Sequence, residues 1–143
     1  MSEFVQERRA LGELDHPEER TVVNLSNVSH NVTEMHWEGD DLMGTVEILS
    51  TPSGNIVKEL MRSGVRLGIS SRGVGSITPV TESTVAVDED FSLICFDIVS
   101  NPSTQGAFLN EGVRRSLQDN RILRINTLVG EFFTEIGSKN VRL

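Results

Sequence analysis

The chain has 143 residues, of which 37% are hydrophobic and 24% charged, and its formal net charge is −8. This length and apolar content predict a single domain over residues 1–143, and the acidic balance argues against binding a nucleic-acid backbone, which needs a basic surface. No apolar run approaches the roughly 18 residues of a membrane-spanning helix. The single cysteine, Cys95, has no partner for an internal disulfide. We therefore expect a soluble cytoplasmic domain.

The first half of the chain alternates between helical and strand periodicity. Apolar residues among charges predict a short amphipathic helix over 3–11. Period-two alternation predicts a strand over 28–37 that returns over 42–49 as a hairpin. Helical spacing then predicts a helix that begins at an N-cap, Ser53, and ends at Gly64.

Two adjacent serines follow that helix, in the stretch LGISSRGVG. Alternation over 65–72 predicts a short strand on which Ser71 continues the apolar face of Ile69, while Ser70 points to the other side. Of the two serines, we expect Ser71 to share the inward face.

The second half of the chain is dominated by strand patterns. The run FSLICFDIVS over 91–100 is the most strand-like in the chain, and its inward-facing positions include Asp97. A helix is predicted over about 109–119, followed by apolar segments of either type. Strands outnumber helices, so the expected fold class is α+β or a barrel with attached helices.

The histidines, cysteine and glycines do not form a recognisable metal or phosphate motif. His30 and His36 lie six residues apart on one predicted strand, or about 20 Å, whereas zinc ligands lie about 2 Å from their metal. The glycines around the serines match neither G-x-G-x-x-G, G-x-x-x-x-G-K-S/T nor G-x-S-x-G. We expect no metal and no cofactor.

A serine, a histidine and an acid occupy positions compatible with nucleophilic catalysis. Serine is a poor nucleophile unless a histidine accepts its proton, and the imidazole works best when a carboxylate orients it. His16 lies in a polar loop, Ser71 ends an apolar strand, and Asp97 lies on the apolar phase of a core strand, where an unpaired carboxylate is costly. Each residue also has a non-catalytic interpretation: His16 as a solvated histidine, Ser71 as a turn residue and Asp97 as an aspartate that faces water. Pattern alone leaves both open.

Three segments carry a resemblance to a known family. They are RRALGELDHP at 8–17, the stretch over 28–76 that contains GISSRG, and DIVSNPSTQGA at 97–107. In the same order, and over nearly the whole chain, they resemble the prohead core maturation proteases of T-even-type tailed phages, relatives of the herpesvirus assemblins. The resemblance implies a mostly antiparallel β-barrel with surrounding helices. It also implies a single domain that lacks an N-terminal segment present in the family.

The resemblance further implies a catalytic triad in the order histidine, serine, third residue. The histidine of GELDHP is His16, and the serine of the S-x-G element in GISSRG is Ser71. The third member matches Asp97, where the assemblins use a second histidine. On this basis Ser71 attacks the peptide carbonyl, His16 carries the proton and Asp97 orients His16.

Substrate binding is likewise implied by the resemblance. Backbone N–H groups of Gln105 and Gly106 are the expected oxyanion donors, and Arg72 would add a positive charge at the site. The family prefers glutamate on the acyl side of the cut bond, which a basic group must bind. The candidates are Arg66, Arg72, Arg114 and Arg115.

The expected function is a serine endopeptidase that cleaves phage scaffold and major capsid proteins. It would act inside the assembling prohead in the host cytoplasm, as a homo-oligomer, without binding nucleic acid or membrane. Members of the family also remove segments of themselves, and LGE at 11–13 resembles the preferred cleavage sequence. A non-catalytic capsid- or scaffold-binding module of the same fold is the alternative, and an unrelated esterase is a third possibility that the missing G-x-S-x-G disfavours.

Overall fold

The computed structural model describes residues 1–17, 20–81, 84–104, 106–111 and 122–127. Within these ranges the helices are α1 (Ser2–Gln6) and α2 (Pro52–Arg62), with a 3₁₀ turn at Leu25–Asn27. The strands are β1 (Leu11–Glu13), β2 (Val28–Glu38), β3 (Asp41–Ile48), β4 (Gly68–Val74), β5 (Ile77–Thr81), β6 (Thr84–Val87), β7 (Ser92–Val99), β8 (Leu109–Glu111) and β9 (Ile122–Thr127). The expected predominance of strands over helices is confirmed. No described helix is long and apolar enough to cross a bilayer.

The strands pair antiparallel in three groups. One sheet has the order β1-β2-β3-β9-β8, β4 pairs with β7, and β5 pairs with β6. Single bridges connect the first two groups, from Leu14 to Ile98 and from Gly68 to Phe108. The described strands do not close into a barrel, so the implied β-barrel is not found in this part of the chain, and the assemblin-like fold stays a prediction.

The predicted hairpin is confirmed. β2 pairs with β3 from His30 opposite Ile48 to Glu38 opposite Asp41. The turn passes through Gly39 at φ +63°, in the left-handed region that glycine adopts without steric cost.

Helix α2 confirms the predicted helix but not its N-cap. Thr51 has an extended backbone, and its hydroxyl accepts the Gly54 N–H at 3.1 Å. Ser53 lies inside the first turn and donates its hydroxyl to Asn27 Oδ1 at 2.9 Å, so the prediction of Ser53 as the cap is wrong. The stop is confirmed, because Gly64 adopts φ +81° directly after the last turn.

The two remaining helix predictions differ from the structure. Helix α1 is Ser2–Gln6, so it covers only residues 3–6 of the predicted 3–11. The segment predicted as a helix over 109–119 begins instead as β8, because Leu109 to Glu111 pair with β9. Residues 112–119 and the apolar segment at 131–136 lie outside the described residues.

Candidate active site

The ribbon formed by β4 and β7 has two chemically different faces. Ser70 lies opposite Asp97 and Ser71 opposite Phe96. Directly opposed residues of an antiparallel pair point to the same side, and successive residues alternate. The apolar face of the ribbon therefore contains Ile69, Ser71, Phe96 and Ile98. Its polar face contains Ser70, Arg72, Cys95 and Asp97.

Strand β1 brings the GELDHP segment against β7. Gly12 packs against both the His30 ring and the Phe96 carbonyl, and a Cβ at this position would lie 2.0 Å from that oxygen and 2.4 Å from His30 Nε2. His30 Nε2 donates across this point to Phe96 O at 3.0 Å, and its Nδ1 accepts from the Ser29 hydroxyl at 2.9 Å. Only glycine fits here, and this close approach sets Glu13 and His16 next to Asp97.

The chain then turns so that the imidazole lies over the ribbon. Leu14 bridges in parallel to Ile98, and Asp15 N–H donates to Ile98 O at 2.7 Å. Asp15 adopts φ +70° and accepts the His16 N–H on its carboxylate at 2.9 Å, a local hydrogen bond that holds the turn. The backbone of 14–16 is thereby tied to β7.

His16 and Asp97 form a direct pair. His16 Nδ1 lies 2.8 Å from Asp97 Oδ2, and the Glu13 N–H donates to Oδ1 at 2.9 Å. The aspartate is fully buried, whereas 40% of the histidine side chain is exposed. Because Nδ1 donates its proton to the carboxylate, the neutral ring leaves Nε2 unprotonated, and within the described residues Nε2 has no hydrogen-bond partner. This is the state that a general base requires.

Asp97 is held as a carboxylate in spite of its burial. Burial alone would raise its pKa. Hydrogen bonds from His16, the Glu13 backbone and Cys95, together with the charge of Arg72, outweigh that effect and hold the pKa of Asp97 below its usual value. The carboxylate is therefore ionised at neutral pH.

Arg72 lies inside the protein rather than at a substrate surface. Its side chain is 7% exposed, and its Nη2 donates to Glu13 Oε1 at 2.8 Å and to Asp97 Oδ1 at 3.3 Å. Its Nε lies 2.8 Å from Asp97 Oδ2, at ion-pair distance, although its N–H is not aligned with that oxygen. The expectation that Arg72 reaches a substrate carboxylate or oxyanion is thus corrected, because its donors are directed at two buried acids.

The two serines have different surroundings. Ser70 is 4% exposed, and its Oγ lies 3.1 Å from Ser103 Oγ, in the loop that follows β7. Ser71 is half-buried on the apolar face of the ribbon. The structure brings His16 and Asp97 together, as the sequence predicted, but it places Ser70 rather than Ser71 on their face. Alternation within β4 could not reveal this, because the face that meets Asp97 depends on the cross-strand register.

The loop after β7 returns to β4 beside this site. Gly106 is exposed at φ +83°, and the next residue, Ala107, accepts the Ile69 N–H at 2.8 Å. Arg66 is exposed and stacks over the Phe108 ring at 4.2 Å. The other predicted binding residues, Gln105, Arg114 and Arg115, lie outside the described residues.

A buried carboxylate that orients an exposed imidazole is the acid–histidine part of a serine-hydrolase triad, and Ser70 lies opposite that carboxylate on the neighbouring strand, with its hydroxyl on Ser103. The comparisons with known proteins make this class more specific. The model of the family "Prohead core protein serine protease" matches residues 1–117, and the chain belongs to this family.

A relative and a solved structure show the same similarity. The chain is 33% identical over 112 residues to the prohead core protein protease of Enterobacteria phage T4, a match that covers 76% of this chain and 52% of the relative. The structure of the bacteriophage T4 capsid assembly protease, gp21, is similar with a TM-score of 0.63 and 30% identity, over 68% of this chain and 63% of that one. The chain thus spans about half the length of the curated relative.

Proposed function

We propose that this chain is a serine endopeptidase of prohead maturation, with His16 as general base, Asp97 as its orienting acid and Ser70 as nucleophile. The observation that carries the proposal is the hydrogen bond of 2.8 Å between His16 Nδ1 and a fully buried, ionised Asp97. It leaves Nε2 of a partly exposed imidazole available in a chain that belongs to a serine protease family.

The register favours Ser70 over Ser71 as the nucleophile. Ser70 lies directly opposite Asp97, whereas Ser71 lies opposite Phe96, on the other face of the ribbon. The Ser70 hydroxyl bonds to Ser103 in this structure, so the proposed reaction requires that a substrate displace this contact and that the hydroxyl turn toward His16. Catalytic hydrogen bonds are often long in unliganded enzymes and tighten when substrate binds.

The proposed chemistry follows from these positions. Ser70 Oγ attacks the peptide carbonyl carbon while its proton passes to His16 Nε2, and Asp97 stabilises the resulting imidazolium. The tetrahedral intermediate collapses, the leaving amine takes the proton from Nε2, and an acyl-enzyme remains. Water repeats the sequence and releases the carboxylic acid. Backbone N–H groups at Gln105 and Gly106 are the proposed oxyanion donors, supported by the contact of their loop with Ser70 through Ser103.

The proposed substrates are phage scaffold and major capsid proteins, cleaved after glutamate within the assembling prohead. The names of the T4 relatives, a prohead core protein protease and a capsid assembly protease, support this substrate class. Among the described residues, Arg66 is the remaining expected cation for the glutamate side chain, because it is exposed and Arg72 is not.

Self-cleavage at the LGE segment is not part of the proposal. Leu11–Glu13 is strand β1, paired with β2, and Glu13 is fully buried. A protease binds its substrate as an accessible extended segment, so the bond after Glu13 is protected while the chain is folded.

The test combines the 143-residue chain with a scaffold protein and a major capsid protein of a T-even-type phage. Fragments are identified by mass spectrometry for the unmodified chain and for His16→Ala, Ser70→Ala and Ser71→Ala. We expect His16→Ala and Ser70→Ala to lose cleavage by about 10³-fold or more, and Ser71→Ala to retain it. Loss with Ser71→Ala and survival with Ser70→Ala would return the nucleophile to Ser71.

Two further outcomes bear on the broader proposal. Stoichiometric binding of the scaffold with no new fragments, unaffected by His16→Ala, would show a binding module instead of an enzyme. Cleavage after residues other than glutamate would contradict the proposed specificity while leaving the catalytic assignment intact.

A further inference from the structure

Two charged side chains, Glu13 and Arg72, lie behind the His16–Asp97 pair. The proposed reaction does not itself use them. Glu13 is fully buried and the Arg72 side chain is 7% exposed. Burying a charge is costly, and a buried ion pair is often no more stabilising than apolar residues of similar size. An aspartate can orient a histidine without a neighbouring ion pair. The position of the Glu13–Arg72 pair against Asp97 therefore calls for another explanation.

Glu13 is joined to Asp97 in two ways. Its backbone N–H donates to Asp97 Oδ1 at 2.9 Å, and its side chain accepts from Arg72 Nη2 at 2.8 Å. The same Arg72 nitrogen reaches Asp97 Oδ1 at 3.3 Å, and Nε lies 2.8 Å from Oδ2. Asp97 Oδ1 therefore accepts from both the Glu13 N–H and Arg72, while Oδ2, which His16 contacts, also lies at ion-pair distance from Arg72 Nε. These contacts restrict rotation of the carboxylate.

Glu13 and Arg72 also hold the loop that follows His16. Asn24 N–H donates to Glu13 Oε1 at 2.8 Å, and Asn27 Nδ2 donates to Oε2 at 3.2 Å. Arg72 Nη1 donates to Arg20 O at 3.3 Å. The pair thus links β1, β4, β7 and the described part of the loop before β2 behind the imidazole.

The charges of this cluster match the need of the reaction. Arg72 opposes two carboxylates, so the three groups together keep a formal charge of −1. With Arg72 and Asp97 alone the sum would be zero, and the imidazolium formed at His16 would face a neutral ion pair. Glu13 therefore preserves the negative field that stabilises the imidazolium, while Arg72 adds to the hydrogen bonds from His16, the Glu13 backbone and Cys95 that keep Asp97 ionised.

We propose that Glu13 and Arg72 are positioning residues, which fix the Asp97 carboxylate toward His16 and preserve its net negative charge. This inference rests on the proposed function, since the imidazolium it serves forms during the proposed reaction. It assigns a catalytic purpose to the glutamate of GELDHP and the arginine of GISSRG. The titratable groups that surround Asp97 are Glu13, His16, His30, Arg72 and Cys95.

The experiment compares three variants of the full chain with a matched surface control. Glu13→Gln keeps the shape and removes one charge, Arg72→Lys keeps the charge and loses the planar fork, and Arg72→Met loses both. The control is Arg62→Met, which removes an exposed arginine that pairs with Glu59 on α2. Circular dichroism and thermal unfolding establish which variants are folded.

Two readouts separate positioning from a merely structural role. The first is kcat, KM and the pH dependence of kcat/KM with a scaffold substrate. We expect Glu13→Gln and Arg72→Lys to lower kcat by about 10- to 100-fold with KM little changed. For Glu13→Gln the acid limb of kcat/KM should also move to lower pH, because less negative charge faces the imidazole. Arg62→Met should match the unmodified chain.

The second readout needs no activity. Long-range proton–nitrogen spectra report which ring nitrogen of neutral His16 carries the proton. The unmodified chain should show the Nδ1–H form, and Glu13→Gln and Arg72→Lys should shift the ring toward the Nε2–H form. If the unmodified chain cleaves nothing, the proposed function fails, and this measurement still decides whether the pair positions the ring.

Three results would overturn the proposal. One is folded Glu13→Gln and Arg72→Lys proteins with unchanged kcat, pH profile and His16 tautomer. Another is the absence of the Nδ1–H form in the unmodified chain. A third is unfolding of both mild variants, which would assign the pair to stability.

Discussion

The two faces of the β4–β7 ribbon are built from the same two strands but differ in composition. One face is apolar, and the other is polar and charged. On the apolar face, Ile69 lies opposite Ile98, and both are fully buried in the core. On the polar face, one residue along each strand, Ser70 lies opposite an aspartate that contacts His16. The comparison shows that a single ribbon can anchor the core with one face and carry the candidate site on the other.

The two faces also differ in how much they stabilise the fold. Full burial of an isoleucine side chain contributes roughly 1.5–3 kcal/mol to the free energy of unfolding. As a set, the buried charges around Asp97 stabilise the fold little more than apolar side chains of similar size would, because the cost of desolvation offsets their mutual attraction. We therefore expect substitutions on the apolar face to lower stability and substitutions on the polar face to lower activity.

The largest effect is expected from Asp97→Asn. An asparagine keeps the size of the side chain but supports the wrong histidine tautomer, so kcat should fall by about 10⁴-fold. The measurement is cleavage of a scaffold substrate, with circular dichroism to show that the fold persists. A decrease of less than tenfold would mean that Asp97 does not orient the base, and the functional contrast between the faces would fail.

Ile98→Ala provides the converse test on the apolar face. Removal of this fully buried side chain should lower the free energy of unfolding by about 3 kcal/mol, measured by urea denaturation, because it leaves a cavity beside Ile69. Ile98→Val is the matched control, with an expected loss of about 1 kcal/mol. If the alanine variant were as stable as the valine variant, the apolar face would not anchor the core as described.

A loss of stability of similar size, but dependent on pH, is expected from His30. This residue of β2 bonds to β7 at Phe96, the residue before Asp97. Burial lowers the pKa of His30 to about 4, only partly offset by the hydrogen bond to Phe96 O and the charge of Asp97. The unfolded state, with a pKa near 6.5, therefore binds more protons between pH 4 and 6.5, and stability falls as the pH drops through that range. Across this range, His30 alone should lower the free energy of unfolding by up to about 3 kcal/mol.

The measurement is urea denaturation from pH 4 to 8, with His30→Gln as the control variant. Protonation of Glu13 and Asp97 in acid also lowers the free energy of unfolding, since the pKa of each is lowered in the fold. The difference between the two proteins isolates His30, and an identical slope in both would contradict its assignment as a neutral buried residue.

The smallest effect concerns Cys95 on the polar face. Burial first, and then the charge and hydrogen bond of Asp97, raise the pKa of this thiol to about 12, and its side chain is buried. It should not react with an aromatic disulfide reagent at pH 8 until the chain is denatured, because the reagent requires an accessible thiolate. Rapid labelling of the native chain would show that the polar face opens to solvent.

The local elements of this fold were largely predictable. The β2–β3 hairpin, the helix ending at Gly64 and the strand around Asp97 follow from periodicity and turn residues, which act over a few positions. The Ser53 cap was wrong because Thr51 was an equally suitable capping residue two positions earlier. The helix predicted from 109 begins as β8, because pairing of Leu109 with Ile125 overrides its local preference.

The candidate site was predictable in its histidine and its aspartate, but not in its serine or in the direction of its arginine. His16 and Asp97 were identified by motif and by the cost of an unpaired buried carboxylate, and they do meet. The inward direction of Arg72 was not foreseen, because an arginine beside two serines offers no signal that Glu13, 59 positions earlier in the chain, will bind it.

The sequence by itself determined the family, the strand-rich architecture and the histidine and aspartate of the candidate site. These depend on short motifs and on alternation within one strand. Only the tertiary structure decided which serine shares a face with them and where the charge of Arg72 is directed. The physical reason is register: alternation separates Ser70 from Ser71, but only the hydrogen-bonded pairing of β4 with β7, about 27 residues apart along the chain, places Ser70 opposite Asp97.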